Sequence, residues 1–319
     1  MKIEREIIQH PNASMRCTQL RQSGFRGGLH RHAHVELTWI ERGRGLRWVG
    51  DSVEPFSDGD VVLVGPELAH VWLTGQGGGP RSCAATVLQF PSNWAAATGL
   101  PELRGLEVLM RRASRGLAIE GRLRPKVQAL MTRMSSADGP NRAAHLIELL
   151  ALMNKELGEG SLDLRSLSVQ ATPADAEGSA FRLRRQRVDR LLRWVQAHLG
   201  DDLSVSDAAA IAGISAAAFG RFFRREVGKS FIEFVNDARC SWAALRLLES
   251  TEPVAEIALA CGYASLSNFG EHFRRRYQVS PREYRRKRFG LPNDRWLDLR
   301  SRTGDSGAQT KRPCARARP

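Results

Sequence analysis

Short runs rich in β-branched and aromatic residues, among them VELTWI, LRWVG and DVVLVGP, recur through residues 1–95 and are separated by Gly-rich corners. Gly43, Gly45, Gly50, Gly59 and Gly65 fall at spacings suited to hairpins, so this region predicts an antiparallel barrel or sandwich. The pattern then changes. In LPELRGLEVLMRRA, LRPKVQALMTRM and NRAAHLIELLALMNKEL the apolar residues recur at helical spacing, which makes residues 96–157 a helical segment. Leu146, Leu149, Leu150 and Met153 form one stripe that could pack on the chain's own barrel or on the same helix of a second copy. Residues 158–180, rich in Gly, Ser, Ala and Asp without a sustained period, read as a linker. From Phe181 the pattern is helical almost to Gly290, and the polar, turn-rich residues 291–319 read as a disordered tail.

The helical part of 181–290 contains an internal repeat. Phe219-Gly220-x-x-Phe223-Arg224-Arg225 returns as Phe269-Gly270-x-x-Phe273-Arg274-Arg275, and Ser230 and Phe234 match Ser280 and Tyr284. Upstream, the small residues before Gly213 and Gly262 allow two helices to cross closely, as a helix-turn-helix requires. Helix starts agree: Ser204 precedes Asp207 at N3, Pro253 opens a helix, and Ser280-Pro281-Arg282-Glu283 supplies cap, N1 proline and N3 carboxylate. On the second helix of each unit the phenylalanines four apart anchor the core. Another face carries Ala217, Gly220 and Arg221 in the first unit, and Ser267, Asn268, Gly270 and Glu271 in the second. Small residues there permit close approach to a groove, Arg221 can fork onto a guanine edge, and Glu271 can accept from cytosine N4. Arg224, Arg225, Arg274, Arg275 and Arg276 suit phosphates. Between the units, SFIEFVNDARCSWAALRLLES makes a rod of about 30 Å, close to the ~34 Å repeat of successive major grooves on one DNA face.

Charge supports a polyanionic partner because of where it sits. The net charge is +14, yet residues 1–180 carry 21 Lys and Arg against 19 Asp and Glu. Residues 181–290 carry 20 against 12, and residues 291–319 carry 7 against 3. The five cysteines form no CxxC pair, so neither a zinc knuckle nor a disulfide framework is indicated. The start MKIEREIIQHPN lacks an apolar export core and no run of about 18 apolar residues occurs, so a reducing cytoplasm and no membrane are expected.

The stretch ACGYASLSNFGEHFRRRYQVSPREYRR resembles the signature of the AraC/XylS family around its second helix-turn-helix, and the likeness extends over about residues 185–288. The resemblance implies sequence-specific binding to double-stranded promoter DNA, activation through RNA polymerase, and a double helix-turn-helix C-terminal domain. Many family members carry Arg where Glu271 stands, which implies that the second unit either reads different bases or binds weakly.

A second constellation lies near the N-terminus: His30, His32, His34 and Glu36 share one strand face, and His70 arrives from another strand. The first segment, with Gly43 seven residues after Glu36, resembles the HxH-x3-E-x6-G pattern of the cupin barrel. The second departs from the cupin pattern: Gly65 stands for the usual proline and Glu67 for the usual glycine, and no Asn follows His70. By resemblance, the metal set is His30, His32, Glu36 and His70, which could hold a divalent ion. Three readings stay open. In one, these histidines, Glu36 and Trp39 (or Trp48 or Trp72) bind a small effector, often a sugar; in another, a metal occupies the pocket; in the third, the histidines are satisfied barrel residues.

The expected architecture is multi-domain α+β: a cupin-like antiparallel barrel at 1–95, a helical and candidate dimerisation segment at 96–157, a linker at 158–180, an all-α DNA-binding domain at 181–290, and a tail at 291–319. The expected function is a ligand-responsive, homodimeric transcription regulator, not an enzyme, with no cofactor required. Its rivals are a metal-dependent cupin enzyme fused to a DNA-binding tail, a DNA-repair sensor with a cysteine methyl acceptor, and a non-specific architectural binder.

Overall fold

The computed structural model describes residues 14–74, 82–168 and 179–287. The expected tail at 291–319 and much of the expected linker lie outside these residues.

The N-terminal part is built from two antiparallel sheets rather than one closed barrel. The larger takes the order β1-β7-β2-β5-β8-β9, with β1 at Arg16–Gln22, β7 at Cys83–Pro91, β2 at His34–Arg42, β5 at Val61–Val64, β8 at Leu117–Ile119 and β9 at Leu164–Ser166. The smaller is β4-β3-β6, with β4 at Ser52–Phe56, β3 at Gly45–Val49 and β6 at His70–Thr74. Strands β8 and β9 extend the sheet beyond the boundary expected near residue 95, because Ala118 and Leu117 pair with Val62 and Leu63 on β5. The expected linker likewise contains a strand, β9, which pairs with β8.

Alternation divides β2 between two environments. Val35 and Leu37 turn outward onto a layer of helices, whereas Glu36, Thr38 and Ile40 face the space between the sheets. The layer comprises α1 (Trp94–Ala97), α2 (Glu107–Ala113), α3 (Leu123–Ser136) and α4 (Gly139–Gly158). On α4 the stripe of Leu146, Leu149, Leu150 and Met153 is fully buried in this chain's own core. The stripe is therefore unavailable as a dimer face. Burying each side chain is worth about 1.5–3 kcal/mol, and its own helical layer takes that gain.

A buried ionic chain ties the two sheets together. Arg47 on β3 donates to Asp60 and Glu54, and Arg165 on β9 reaches Glu54 at 3.0 Å and Glu120 at 2.9 Å. Each guanidinium is met by two carboxylates, which offsets the cost of burying the charges.

The C-terminal part is all helix: α5 (Ser179–Ala197), α6 (Val205–Ala212), α7 (Ala216–Val227), α8 (Phe231–Glu249), α9 (Val254–Ala260), α10 (Leu266–Tyr277) and α11 (Pro281–Lys287). The pairs α6–α7 and α9–α10 are the two expected helix-turn-helix units. Their sharp turns use glycine where the backbone needs positive φ, at Gly213 (67°) and Gly262 (83°). Caps fall where the sequence places them. Ser204 accepts from the Asp207 amide, and Ser230 and Glu233 form a reciprocal capping box.

The two parts are packed together. Trp48 of β3 meets Phe234 of α8 edge-on at 5.8 Å between ring centroids, and Ser241 Oγ donates to the Val53 carbonyl of β4 at 2.6 Å. The buried apolar cluster is continuous from Leu46, Trp48, Val53 and Val71 into Leu192, Phe223 and Phe234.

Candidate nucleic-acid interface and candidate pocket

Both recognition helices expose the faces expected to read DNA. On α7, Phe219 and Phe223 are fully buried, while Ala217, Gly220, Arg221, Arg224 and Arg225 are exposed. On α10, Phe269 and Phe273 are buried, while Ser267, Asn268, Glu271, Arg274 and Arg275 are exposed and Gly270 is half-buried. Beyond the adjoining residues and backbone of their own helices, neither Gly220 nor Gly270 has a heavy atom within 4 Å of where a Cβ would stand, so both face open space. A shallow concavity of about 550 Å³ runs along α10 between Leu266, Glu271 and Arg274. Leu266, 54% exposed at the start of α10, belongs to this face and was missed in the sequence, where it reads as one more apolar helical residue.

Arg276 is a correction. It lies on the side of α10 that meets the N-terminal sheets, where Nη2 donates to the Val53 carbonyl at 2.7 Å and Nη1 pairs with Asp237 at 3.1 Å. Burial disfavours its charge, but Tyr277, Asp237 and Glu54 outweigh that and raise its pKa. Two residues beyond Arg274 on a 100° helical step, Arg276 points away from the DNA face, so it is an interdomain contact rather than a phosphate contact.

Between the two sheets lies a cavity of about 220 Å³. His30 and Glu36 line it, with His32 and His70 beside them, and one ligating atom from each of the four lies within 4.8 Å of the others. The sequence placed these residues on one face, and the antiparallel bridge between His30 and His70 brings the second segment to the first. Each ring is aimed by a backbone carbonyl. Nδ1 of His30 donates to Gly28, that of His32 to His34 and that of His70 to Leu68, at 3.0, 3.0 and 2.7 Å. The Nε2 atoms are thereby left to point inward. His32 Nε2 lies 2.9 Å from Glu36, whereas the buried His70 Nε2 has no hydrogen-bond partner among the described residues and stands 3.6 Å from the Glu36 carboxylate.

The electrostatics follow from burial. Burial and the neighbouring His70 lower the His30 pKa to about 4. For Glu36 burial pushes upward, but His70 and the His32 hydrogen bond overcome it and hold the carboxyl well below its ordinary range. Gln89 Nε2 and Thr38 Oγ1 also donate to this carboxylate, at 2.9 and 2.6 Å.

Trp39 is a second correction. It alternates with Thr38 and so turns to the helical core, not to the cavity. The tryptophan in the cavity wall is Trp72, two residues after His70 on the same face of β6. His34 sits at the margin: its carbonyl orients His32, but its ring lies outside the four-residue cluster. Arg16, Thr18, Thr38 and Gln89 also line the cavity, and the sequence did not single them out. Alternation along β1 and β7 was the available signal, but it needs the strand register to become specific.

The cavity and the helical part share a wall. In the segment His30-Arg31-His32 the histidines face inward, and Arg31 turns the other way to pair with the buried Asp189 of α5 at 3.1 Å. Glu67, whose φ is +58°, receives an Arg185 hydrogen bond from α5 on its carbonyl and donates its amide to the His32 carbonyl at 2.8 Å.

A family description of a helix-turn-helix domain matches residues 208–287. The chain is 32% identical over 126 residues to the HTH-type transcriptional regulator MtrA of Neisseria gonorrhoeae, covering 40% of this chain and 42% of that one. It is 24% identical over 275 residues to the HTH-type transcriptional activator RhaS of Salmonella arizonae, covering 82% of this chain and 89% of that one. The first three curated relatives are matched over only 42%, 59% and 33% of their length. Among solved structures, a transcriptional regulator from Chromobacterium violaceum described as having an AraC-type DNA-binding domain is 24% identical. It covers 33% of this chain and 95% of that one, with a TM-score of 0.31.

Proposed function

We propose that this chain, whose residues 208–287 match a helix-turn-helix domain and which is similar to HTH-type transcriptional regulators, is a ligand-responsive, sequence-specific transcription regulator of the AraC/XylS type. The observation that carries the reading is the duplicated pair of exposed recognition faces. Each is backed by a buried phenylalanine pair and they are joined by α8, whose 19 residues span about 28 Å. Two shaped faces at that separation favour one arrangement of bases over others, unlike a non-specific binder. Activation through RNA polymerase, a cytoplasmic location and a homodimer belong to the same proposal. A homodimer needs a surface other than the buried stripe of α4.

Selection of bound sites from random duplex DNA tests this reading, and recovery of no motif sinks it. Within a recovered site, Arg221→Ala is expected to cost about 1–3 kcal/mol at one base position and to relax specificity there. An equal loss on every duplex instead makes Arg221 a phosphate contact.

The cavity is proposed as the effector site, and its cluster as a site for a divalent ion. The donor chemistry fits: three imidazoles with Nδ1 held by carbonyls, a carboxylate, and a buried His70 Nε2 lacking a hydrogen-bond partner among the described residues. Small rotamer changes from a 4.8 Å spread bring such donors to the ~2.0–2.2 Å that zinc requires. Chelator-stripped protein is then expected to take up one Zn(II), and His70→Ala to lose it. Retention of uptake by that variant, or none by the wild type, removes the metal from the proposal.

A further inference from the structure

The cavity grades from a polar, charged end to a mainly apolar one, and the polar end carries Arg16, whose guanidinium meets no carboxylate among the described residues. The register across the large sheet makes the gradient explicit. In the first row, Arg16 on β1 stands opposite Gln89 on β7, which stands opposite Glu36 on β2. Two residues along each strand the row is Thr18, Val87 and Thr38. Two further on it is Leu20, Ala85 and Ile40, with Phe25 lining the cavity and Gln22 exposed at the rim beyond. At about 3.3 Å per residue, the charged row and the apolar row lie some 13 Å apart.

Charge decides the sign of the ligand's head. Both Glu36 oxygens are already engaged, Oε2 by His32 and Gln89 and Oε1 by Thr38. Arg16 donates Nε to Thr18 Oγ1 at 2.9 Å and pairs with no carboxylate among the described residues. Its terminal nitrogens form a fork suited to a planar anion. Trp72, next to His70, adds a buried indole N–H without a hydrogen-bond partner among the described residues.

Size sets the body. A volume of about 220 Å³ equals that of about seven waters at ~30 Å³ each, so the ligand is small. A carbohydrate, the ligand expected from the sequence, needs donors and acceptors around its whole perimeter. Here it would place hydroxyls against Leu20, Ile40 and Phe25, where nothing replaces their lost water contacts.

We propose that the cavity binds a small amphipathic carboxylate, its head held by Arg16 on the β1 side of Gln89, away from Glu36, and its apolar body lying along Leu20, Ile40 and Phe25. This rests on the reading of the cavity as an effector site and names the effector's chemical class.

Calorimetric titration of the full chain with hexanoate, its neutral counterpart hexanamide, acetate, and the monosaccharides glucose and xylose tests the proposal. Hexanoate is expected to bind about tenfold or more tightly than hexanamide. Arg16→Gln is expected to erase that difference. Leu20→Ser, on the partly exposed edge strand, is expected to weaken hexanoate severalfold and leave acetate unchanged, a readout independent of how well the Arg16 variant folds. Equal affinity for hexanoate and hexanamide, binding of a monosaccharide in place of hexanoate, or no hexanoate binding each overturns the proposal. Affinity for a selected duplex, measured with and without hexanoate, separates the two readings. Hexanoate that binds as described but leaves DNA affinity unchanged refutes the effector reading while the ligand class stands.

Discussion

Arg274, Arg275 and Arg276 are three identical side chains in a row, and the fold gives them two different jobs. The first two are solvent-exposed on the DNA side of α10, and the third holds Val53 across the domain interface and Asp237 on the neighbouring α8. Arg275→Ala is expected to weaken binding to all duplexes and to lower the salt dependence by about one counterion. Arg276→Ala is expected to leave the salt slope unchanged and to cost roughly 1–3 kcal/mol in stability, because two charge-assisted contacts are lost while Val53 keeps Ser241 and Asp237 keeps Lys229. Denaturation and salt titrations of both variants check this, and a reduced salt slope for Arg276→Ala would return it to the phosphate set. The sequence could not separate the three, since a charge run states composition and only packing assigns each member a side. Trp39 and Trp72 teach the same lesson. Either is a plausible cavity aromatic by type, and the parity of the strand position decides between them.

Secondary-structure elements were the most legible level. Period and caps located both helix-turn-helix units because local chemistry sets them. Ser230 and Glu233 close the capping box at the start of α8, and Ser280 with Glu283 repeats the arrangement at α11. Hydrogen bonds from Ser230 and Ser280 lower the carboxyl pKa of both acids below 4.5. Folded values below unfolded ones mean that this stabilisation is present above the unfolded carboxyl pKa and is lost as pH falls through the folded value. Glu233→Gln is therefore expected to lower the thermal midpoint at neutral pH and to flatten its decline below about pH 4.5. An unchanged acid limb in that variant counts against the box. Element boundaries in the N-terminal half were less legible. β8 and β9 are three residues each, too short for a period, and become strands only because β5 offers an edge to pair with.

At the scale of the whole molecule, the segment His30-Arg31-His32 meets the cavity on one side and α5 of the helical part on the other. Arg31 leaves the His30–His32 segment on the side opposite the cavity and meets Asp189, whose buried carboxylate depends on it. A ligand that moves this segment therefore acts directly on α5, provided it binds the two arrangements with different affinity. Arg31→Ala removes the nearest partner of a buried carboxylate that Arg185 and Arg193 also face, and is expected to destabilise the domain contact by about 1–3 kcal/mol. Arg31→Ala combined with Asp189→Asn is expected to recover part of that loss and to uncouple DNA affinity from ligand. A double variant that still responds fully to ligand would place the coupling elsewhere, for instance at Trp48 and Phe234.

The sequence by itself determined what is local: helices from period and caps, the repeat that makes two recognition units, the four residues His30, His32, Glu36 and His70, and the basic C-terminal third. Only the tertiary structure decided what depends on register and docking. It turned the α4 stripe into this chain's own core, took Arg276 from the DNA face and exchanged Trp39 for Trp72. It also set Arg16, Gln89 and Glu36 in one row. The reason is physical: spacing along a chain tells which residues share a face, and only the partner surfaces tell what that face meets.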